Sequence, residues 1–219
     1  HLGVVLDTHS HMKDSRDLLG LHLVAKIIGT HTVDVEREFN RHMPTHWGSV
    51  GEWVNALIHG RTKAGGLDAL QLHRLHAALE LASLVAYEEL CARPVLNTPL
   101  DCEHYLRCHL GGRERELFCA VYLNGRNRVL ACHDLFEGTV DGAAVYPRDV
   151  VAAALNWGAS AVIVAHNHPS GSLDPSEADR QITHRLRDAL SLVDIRLLDH
   201  LIVARGGIYS MASYCEAGF

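Results

Sequence analysis

The stretch AVIVAHNHPSGSLDPSEAD, residues 161–179, leads from an apolar run into a loop rich in proline and glycine. The run AVIVA predicts a buried strand. If this strand continues through His166, its two-residue period places His166 and His168 on one side and Asn167 on the other. Both imidazoles can then reach the same metal ion.

A third ligand is needed, because a catalytic zinc typically takes three protein ligands and keeps a fourth position for water. The candidate is Asp179, in the first turn of the helix that follows, because Pro169, Gly171 and Pro175 allow the loop to turn back. Ser176 lies one helical turn earlier, on the same side. A structural interpretation is also open: Ser176 and Asp179 match a capping box, and two histidines at a strand end can simply meet solvent.

Strands and helices alternate around this stretch. The predicted strands are residues 116–123, 128–135, 161–165, 195–204 and 207–212. Asn124-Gly125 predicts the turn of a hairpin between the first two strands. Pro147 fits the first turn of a helix and Gly158 fits its end, and a further helix follows Asp179. The alternation predicts an α/β or α+β fold in which one sheet carries helices on both sides.

Residues 1–92 predict a small all-helical region in front of this sheet. Apolar residues recur at helical spacing along much of its second half. Pro94 and Pro99 then bracket an extended stretch that marks a boundary. The sequence therefore predicts two domains, residues 1–92 and 93–219.

Composition limits the classes of function. The chain has 219 residues, 47% of them hydrophobic, and a net charge of −6. Residues 1–90 hold eight Lys or Arg against eleven Asp or Glu, the opposite of the basic surface of a nucleic-acid-binding protein. No apolar run approaches the roughly 20 residues that span a bilayer, and no signal peptide is recognisable, so we expect a cytoplasmic protein with no membrane contact. Six cysteines without a CxxC pair predict free thiols.

The segment HNHPSGSLDPSEAD resembles the JAMM zinc metallopeptidase motif, in which two histidines one residue apart precede a serine and an aspartate three residues apart. The flanking segments GTVDGAAVYPRDV and LVDIRLLDHLIVA resemble the bacterial RadC family, and this likeness covers residues 93–219. The resemblance implies a deaminase-like α/β sandwich that holds zinc through His166, His168 and Asp179. It also implies that Ser176 helps to hold the oxyanion of a tetrahedral intermediate.

A glutamate general base near the start of an early strand is a further implication of the resemblance. Glu116, in RERELFCAVYL, matches that place. Glu114 and Glu137 compete for the role. The structural alternative for Glu116 is a solvated charge at a strand edge.

Three other positions bear on the resemblance. Asp199 and His200, in LLDHLIVA, match the RadC pattern and predict either residues that orient a metal ligand or polar members of a half-buried strand. Relatives often carry an acid at the position of His133, so this chain departs from the family pattern there.

The implied activity is that of a zinc-dependent hydrolase that cleaves an amide or isopeptide bond in a peptide or a protein conjugate. The alternative is a DNA-repair-associated module that binds nucleic acid or protein and in which zinc is structural or vestigial. The N-terminal region weakly resembles the helix-hairpin-helix segment of RadC proteins, but Gly66-Leu67-Asp68 puts a carboxylate where a phosphate would dock, which favours a packing or partner-docking role. An HNH-type nuclease is disfavoured because no lysine or arginine lies between His166 and Asp179.

Overall fold

The chain divides into two compact units, and the division falls within a long helix. The structure, a computed structural model, describes residues 15–46, 50–58, 67–93, 95–138 and 145–214. Its compact units are His1–Ala78 and Leu79–Phe219, and the division falls inside helix α4, Ala69–Ala92. The domain boundary at residue 92 stays a prediction. The predicted features at Gly66 and Pro94 lie outside the described residues.

The N-terminal unit is helical, as predicted. Its helices are α1 (Ser15–Ile28), α2 (Thr32–His46), α3 (Val50–Ile58) and the first part of α4. Leu21, Phe39 and Trp53 are fully buried, and the Phe39 and Trp53 rings meet edge to face with centroids 5.5 Å apart. The Arg74 guanidinium donates to the carbonyl of Ile28 at 3.2 Å, which satisfies one of the free carbonyls at the end of α1.

The start of α4 is capped by its own side chains. Asp68 Oδ1 accepts the N–H of Gln71 at 2.7 Å, and Gln71 Oε1 accepts the N–H of Asp68 at 2.9 Å. This reciprocal pair satisfies two backbone donors at the helix start. The Asp68 carboxylate, predicted to stand where a phosphate would dock, is thus bonded to the helix itself.

The C-terminal unit is built on a mixed five-stranded sheet with the order β2-β1-β3-β4-β5. The strands are β1 (Leu117–Leu123), β2 (Val129–Glu137), β3 (Ala161–Asn167), β4 (Arg196–Ala204) and β5 (Gly207–Ser210). The helices that follow α4 are a 3-10 helix (Pro99–Cys102), α5 (Glu103–Leu110), α6 (Pro147–Asn156) and α7 (Glu177–Ser191). β3 and β4 are parallel and are joined through α7, whereas the other neighbouring pairs are antiparallel. The architecture is the predicted α+β fold.

The two faces of the sheet carry separate cores. On one face, alternate residues such as Val121 and Ile163 pack against α4 and α5. On the other face, Tyr122, Val162 and Val164 pack against α6 and α7. Because successive strand residues point to opposite faces, a strand that is buried on both sides reads as a continuous apolar run. Helices therefore cover both sides of the sheet, as predicted.

The turns around the sheet agree with the sequence in part. Pro147 begins α6, and Gly158 follows this helix with a left-handed φ of +62°, both as predicted. The β1–β2 hairpin is also confirmed, and its loop spans residues 124–128, one residue more than the predicted strands leave between them. The Asn124 side chain accepts two backbone N–H groups of the loop, and Asn127 takes the left-handed conformation with φ of +54°.

The described cysteines, which are Cys91, Cys102, Cys108, Cys119 and Cys132, are free thiols. Burial raises the pKa of Cys102 to about 12, so this thiol stays protonated. Within the described ranges, no single helix is long and apolar enough to cross a membrane, although Leu18–Ile28 and Thr32–Asn40 pass such a test as a pair bent by 118°.

Candidate metal centre

Three predicted ligands converge where β3 ends. β3 runs two residues beyond the predicted strand, so His166 continues the face of Val164 and is fully buried. The Nε2 atoms of His166 and His168 lie 2.9 Å apart. Asp179, in the first turn of α7, places Oδ1 3.1 Å from His166 Nε2 and Oδ2 3.4 Å from His168 Nε2. In the part of the chain that the structure describes, these three residues are the group whose ligand atoms could hold a metal ion.

Hydrogen bonds assign the ring proton of His166 to the nitrogen that faces away from this group. Thr183 Oγ1 donates to the carbonyl of Asp179 at 2.5 Å, so it accepts the Nδ1 proton of His200 at 2.6 Å. His200 Nε2 then carries a lone pair and accepts the Nδ1 proton of His166 at 2.8 Å. His166 Nε2 is left with a lone pair that faces Asp179. Burial lowers the pKa of His200 well below its ordinary value, which keeps His200 neutral.

The ring of His168 is oriented in the same sense. Its Nδ1 lies 2.9 Å from the carbonyl oxygen of Ser172, and because a carbonyl only accepts, Nδ1 carries the proton. The Nε2 lone pair of His168 therefore also faces Asp179. In the metal-free site, the hydrogen bond that a protonated His168 Nε2 donates to Asp179 raises the pKa of His168, although burial opposes this shift.

Asp179 completes the group as an ionised carboxylate. Burial would raise the pKa of Asp179, but hydrogen bonds that the protonated rings of His166 and His168 donate to it outweigh that effect and hold the pKa below its ordinary value. Two imidazole lone pairs and one carboxylate thus face each other without a proton between them in the neutral tautomers. This donor set attracts a cation and is one that zinc prefers, so the residues fit a zinc ion. The hydrogen bonds on the outer nitrogen of each histidine are those that orient metal-binding imidazoles in proteins.

Glu116 lies beside this group at the start of β1. Its Oε1 is 3.7 Å from His166 Nε2, and its side chain is 42% exposed. Both Glu116 and Glu114 line a cleft of about 730 Å³ that also contains His168 and Asp179. Because its side chain is partly exposed, the carboxylate of Glu116 can contact both solvent and a bound substrate.

Two other sequence candidates lie elsewhere. Glu137 pairs with Leu117 at the end of the β1–β2 ladder and is not among the residues that line the cleft. His133, also on β2, packs edge to face against the rings of Tyr122 and Trp157. These ring contacts are packing contacts at the surface of the sheet.

Ser176 forms the capping box that the sequence allows. Its Oγ accepts the N–H of Asp179 at 3.1 Å, while Asp179 Oδ2 accepts the Ser176 N–H at 2.7 Å and the Ser176 hydroxyl at 2.6 Å. The cap therefore also orients the carboxylate that faces the histidines. Ser176 lines the cleft, so its hydroxyl can reach a substrate if it rotates away from Asp179.

The sequence left two roles open for Asp199 and His200: orienting a metal ligand, or being polar members of a strand. The structure gives these residues different roles. His200 is buried and orients His166. Asp199 turns away from the site and accepts from the Ser210 hydroxyl at 2.5 Å and the Ala212 N–H at 2.9 Å, so it braces the end of β5. Thr183, the third member of the relay, was missed by the sequence analysis. The available signal was its position one helical turn after Asp179.

The chain is similar in sequence to known proteins of one family. The model of the RadC-like JAB domain matches residues 96–217. A UPF0758 protein of Herminiimonas arsenicoxydans is 40% identical over 196 residues, which cover 90% of this chain and 86% of the relative. A UPF0758 protein of Stutzerimonas stutzeri is 40% identical over 210 residues, covering 96% of this chain and 92% of that protein. One from Cellvibrio japonicus is 41% identical over 196 residues, covering 90% and 86%. The chain therefore belongs to the RadC family and contains its JAB-type domain.

Proposed function

We propose that this protein is a zinc-dependent hydrolase that cleaves an amide bond, as a metallopeptidase or isopeptidase. The observation that carries the proposal is the convergence of His166, His168 and Asp179, with the lone pairs of both rings turned toward the carboxylate. A purely structural use of these residues would not require both rings to turn their acceptor nitrogens inward. Membership of a JAB-domain family supports the same reaction class.

A zinc ion in such a site lowers the pKa of a bound water from about 15.7 to about 7 and polarises a carbonyl group. Glu116 is the residue that would accept a proton from the attacking water and pass it to the leaving amine. Its carboxylate has the position for this role, because it lies 3.7 Å from His166 and opens onto the cleft. Glu114 lines the same cleft and lies two residues before Glu116 in the chain.

Ser176 would donate a hydrogen bond to the negative charge that develops on the carbonyl oxygen. A well-placed donor of this kind lowers the barrier by about 3 kcal/mol. The hydroxyl is held by Asp179 at 2.6 Å in the present arrangement, so this role requires a rotation about its χ1 angle. Rotation would leave the N–H of Ser176 bonded to the carboxylate at 2.7 Å.

The cleft supports a peptide or a protein conjugate as substrate. Its volume of about 730 Å³ accommodates several residues of an extended chain. Phe118, Val145 and Ile182 contribute apolar wall, whereas Arg115 and Arg185 contribute positive charge among the acidic residues. Such a mixed lining suits a polypeptide that carries both apolar and polar groups.

Metal analysis of the purified protein tests the proposal first. Plasma mass spectrometry should find close to one zinc per chain in the wild type and little in His166→Ala. His184→Ala is the matched control, because His184 is exposed on the same helix as Asp179 and takes no part in the cluster. Zinc absent from wild type and variants, and not regained on addition, would contradict the proposal and favour a binding module.

Amide hydrolysis is tested with zinc-loaded protein. Peptides and lysine-linked isopeptides would be incubated with wild type and Glu116→Gln, and the products identified by mass spectrometry. Glu116→Gln should retain zinc and lose most of the turnover, whereas Glu137→Gln should keep both. A Glu116→Gln variant as active as the wild type would remove the general-base assignment.

A further inference from the structure

The segment that carries Glu116 lies beyond the regular ladder between β1 and β3. The last paired positions on that side are Phe118 and His166. Residues 113–116 precede β1 and therefore receive no backbone ladder from β3. Their position must be set by other contacts if Glu116 is to face the metal ligands.

Asn167 supplies those contacts through its side chain. Its Oδ1 accepts the N–H of Leu117 at 2.8 Å, and its Nδ2 donates to the carbonyl of Arg115 at 3.0 Å and to that of Arg113 at 3.4 Å. The side chain thus bonds the peptide groups on both sides of Glu116. Only 3% of Asn167 is exposed, so these bonds are shielded from competing water.

The same segment is held from two further directions. The N–H of Gly138, at the end of β2, donates to the carbonyl of Glu116 at 2.8 Å. The Arg113 side chain donates from Nε to the carbonyl of His109 on α5 at 2.7 Å. The backbone around Glu116 is therefore fixed on the β2 side by a main-chain bond and on the β3 side by Asn167.

We propose that Asn167 is a positioning residue that aims Glu116 at the metal ligands. The inference rests on the proposed function, in which Glu116 acts as the general base. Asn167 lies between His166 and His168 and points to the opposite face of the sheet, where it takes over the pairing that β3 no longer provides. One strand end therefore fixes two of the ligands through His166 and His168 and, through Asn167, the backbone that carries the base, so the separation of ligands and base is set by a single piece of backbone.

Hydrogen exchange of the full-length protein tests the positioning directly. In Asn167→Ala the amide of Leu117 loses its acceptor and should exchange about tenfold faster than in the wild type. Asn124→Ala is the matched control, because it removes an asparagine that accepts two backbone N–H groups at the other end of β1. It should leave Leu117 unchanged. Wild-type exchange of Leu117 in Asn167→Ala would overturn the inference.

A second variant keeps the test decisive if Asn167→Ala folds poorly. Asn167→Asp keeps an acceptor for the N–H of Leu117 and removes the donor to the carbonyls of Arg115 and Arg113, so it should preserve protection at Leu117. Exchange of Leu117 as fast in Asn167→Asp as in Asn167→Ala would count against a role for the Asn167 side-chain acceptor. Metal content near that of the wild type is expected in both variants, because neither change removes a ligand.

The visible spectrum of the cobalt-loaded protein tests the link to Glu116 without relying on activity. At one fixed pH, Glu116→Gln and Asn167→Ala should change the absorption bands in the same sense. The double variant should show no further change, because both act through one carboxylate. A wild-type spectrum in Asn167→Ala, next to a changed one in Glu116→Gln, would overturn the inference. No change in Glu116→Gln would instead remove the base assignment, and the exchange of Leu117 would still decide whether Asn167 holds the segment.

Discussion

Helices α4 and α7 both begin with a reciprocal side-chain cap, but the residues around the two caps differ. In α4, Asp68 and Gln71 satisfy each other's backbone N–H groups, and in α7, Ser176 and Asp179 do the same. The α4 pair stabilises a helix start. At α7 the capping carboxylate also lies within 3.4 Å of two histidines. The carboxylate of a capping box can therefore also be a candidate metal ligand. Whether it is one depends on the side chains that the neighbouring strand end places beside it.

The largest difference is expected when each capping carboxylate is neutralised. Asp179→Asn should weaken zinc binding by on the order of 100-fold or more, because loss of an outer-shell partner alone typically costs 10–100-fold. Asp68→Asn should leave zinc affinity unchanged. Competition with a chromogenic chelator measures both. Equal affinities for the two variants would mean that the α7 cap is only a cap.

A smaller loss is expected when the relay behind α7 is cut. Thr183→Val removes the hydroxyl that accepts from His200, so the ring of His166 loses its fixed tautomer. Zinc affinity should fall about 10–100-fold, and unfolding in denaturant should show a loss of roughly 1–3 kcal/mol from an unpaired buried donor. Thr183→Ser keeps the hydroxyl and should behave like the wild type. If Thr183→Val and Thr183→Ser bind zinc alike, the relay has no role in orientation.

The two caps should contribute similarly to stability once metal is removed. With a chelator present, Asp68→Ala and Ser176→Ala should each lower the free energy of unfolding by about 1 kcal/mol, the usual contribution of an N-cap. When zinc is restored, only Ser176→Ala should also alter turnover. Denaturant titrations in both conditions test this, and a much larger effect of Ser176→Ala in chelator would show that the cap at α7 is more than a local interaction.

The smallest expected effect is the pH dependence of the metal-free site. The pKa of His168 is raised by its hydrogen bond with Asp179. This contact stabilises the metal-free fold fully below the ordinary histidine pKa of about 6.5, and the contribution is lost as pH rises through the raised value. Zinc affinity should move in the opposite direction, since the ligands must be deprotonated. Unfolding curves from pH 5.5 to 8.5, with and without chelator and with His168→Gln as control, separate the two trends.

The sequence predicted that His166, His168 and Asp179 would lie together because local rules determine their proximity. The strand period places His166 and His168 together, and a proline-rich loop returns Asp179 to them. The contacts of His200 and Asn167 depend on strand order and register instead. His200 reaches His166 because β4 pairs in parallel with β3, a pairing that one sequence does not specify. The hairpin at Asn124 was also predicted from local rules, and the Asn124 side chain accepts two backbone N–H groups of its loop.

The segment of residues 168–179, which contains the loop before α7, begins and ends at candidate ligands, and this gives the loop a property beyond catalysis. A cation that binds both His168 and Asp179 would cross-link the two ends of this segment and would favour the folded state by mass action. Without metal, this loop should then be the first part of the domain that a protease cleaves. Cleavage by chymotrypsin after Leu173 would report, in a crude extract, what fraction of the protein carries metal.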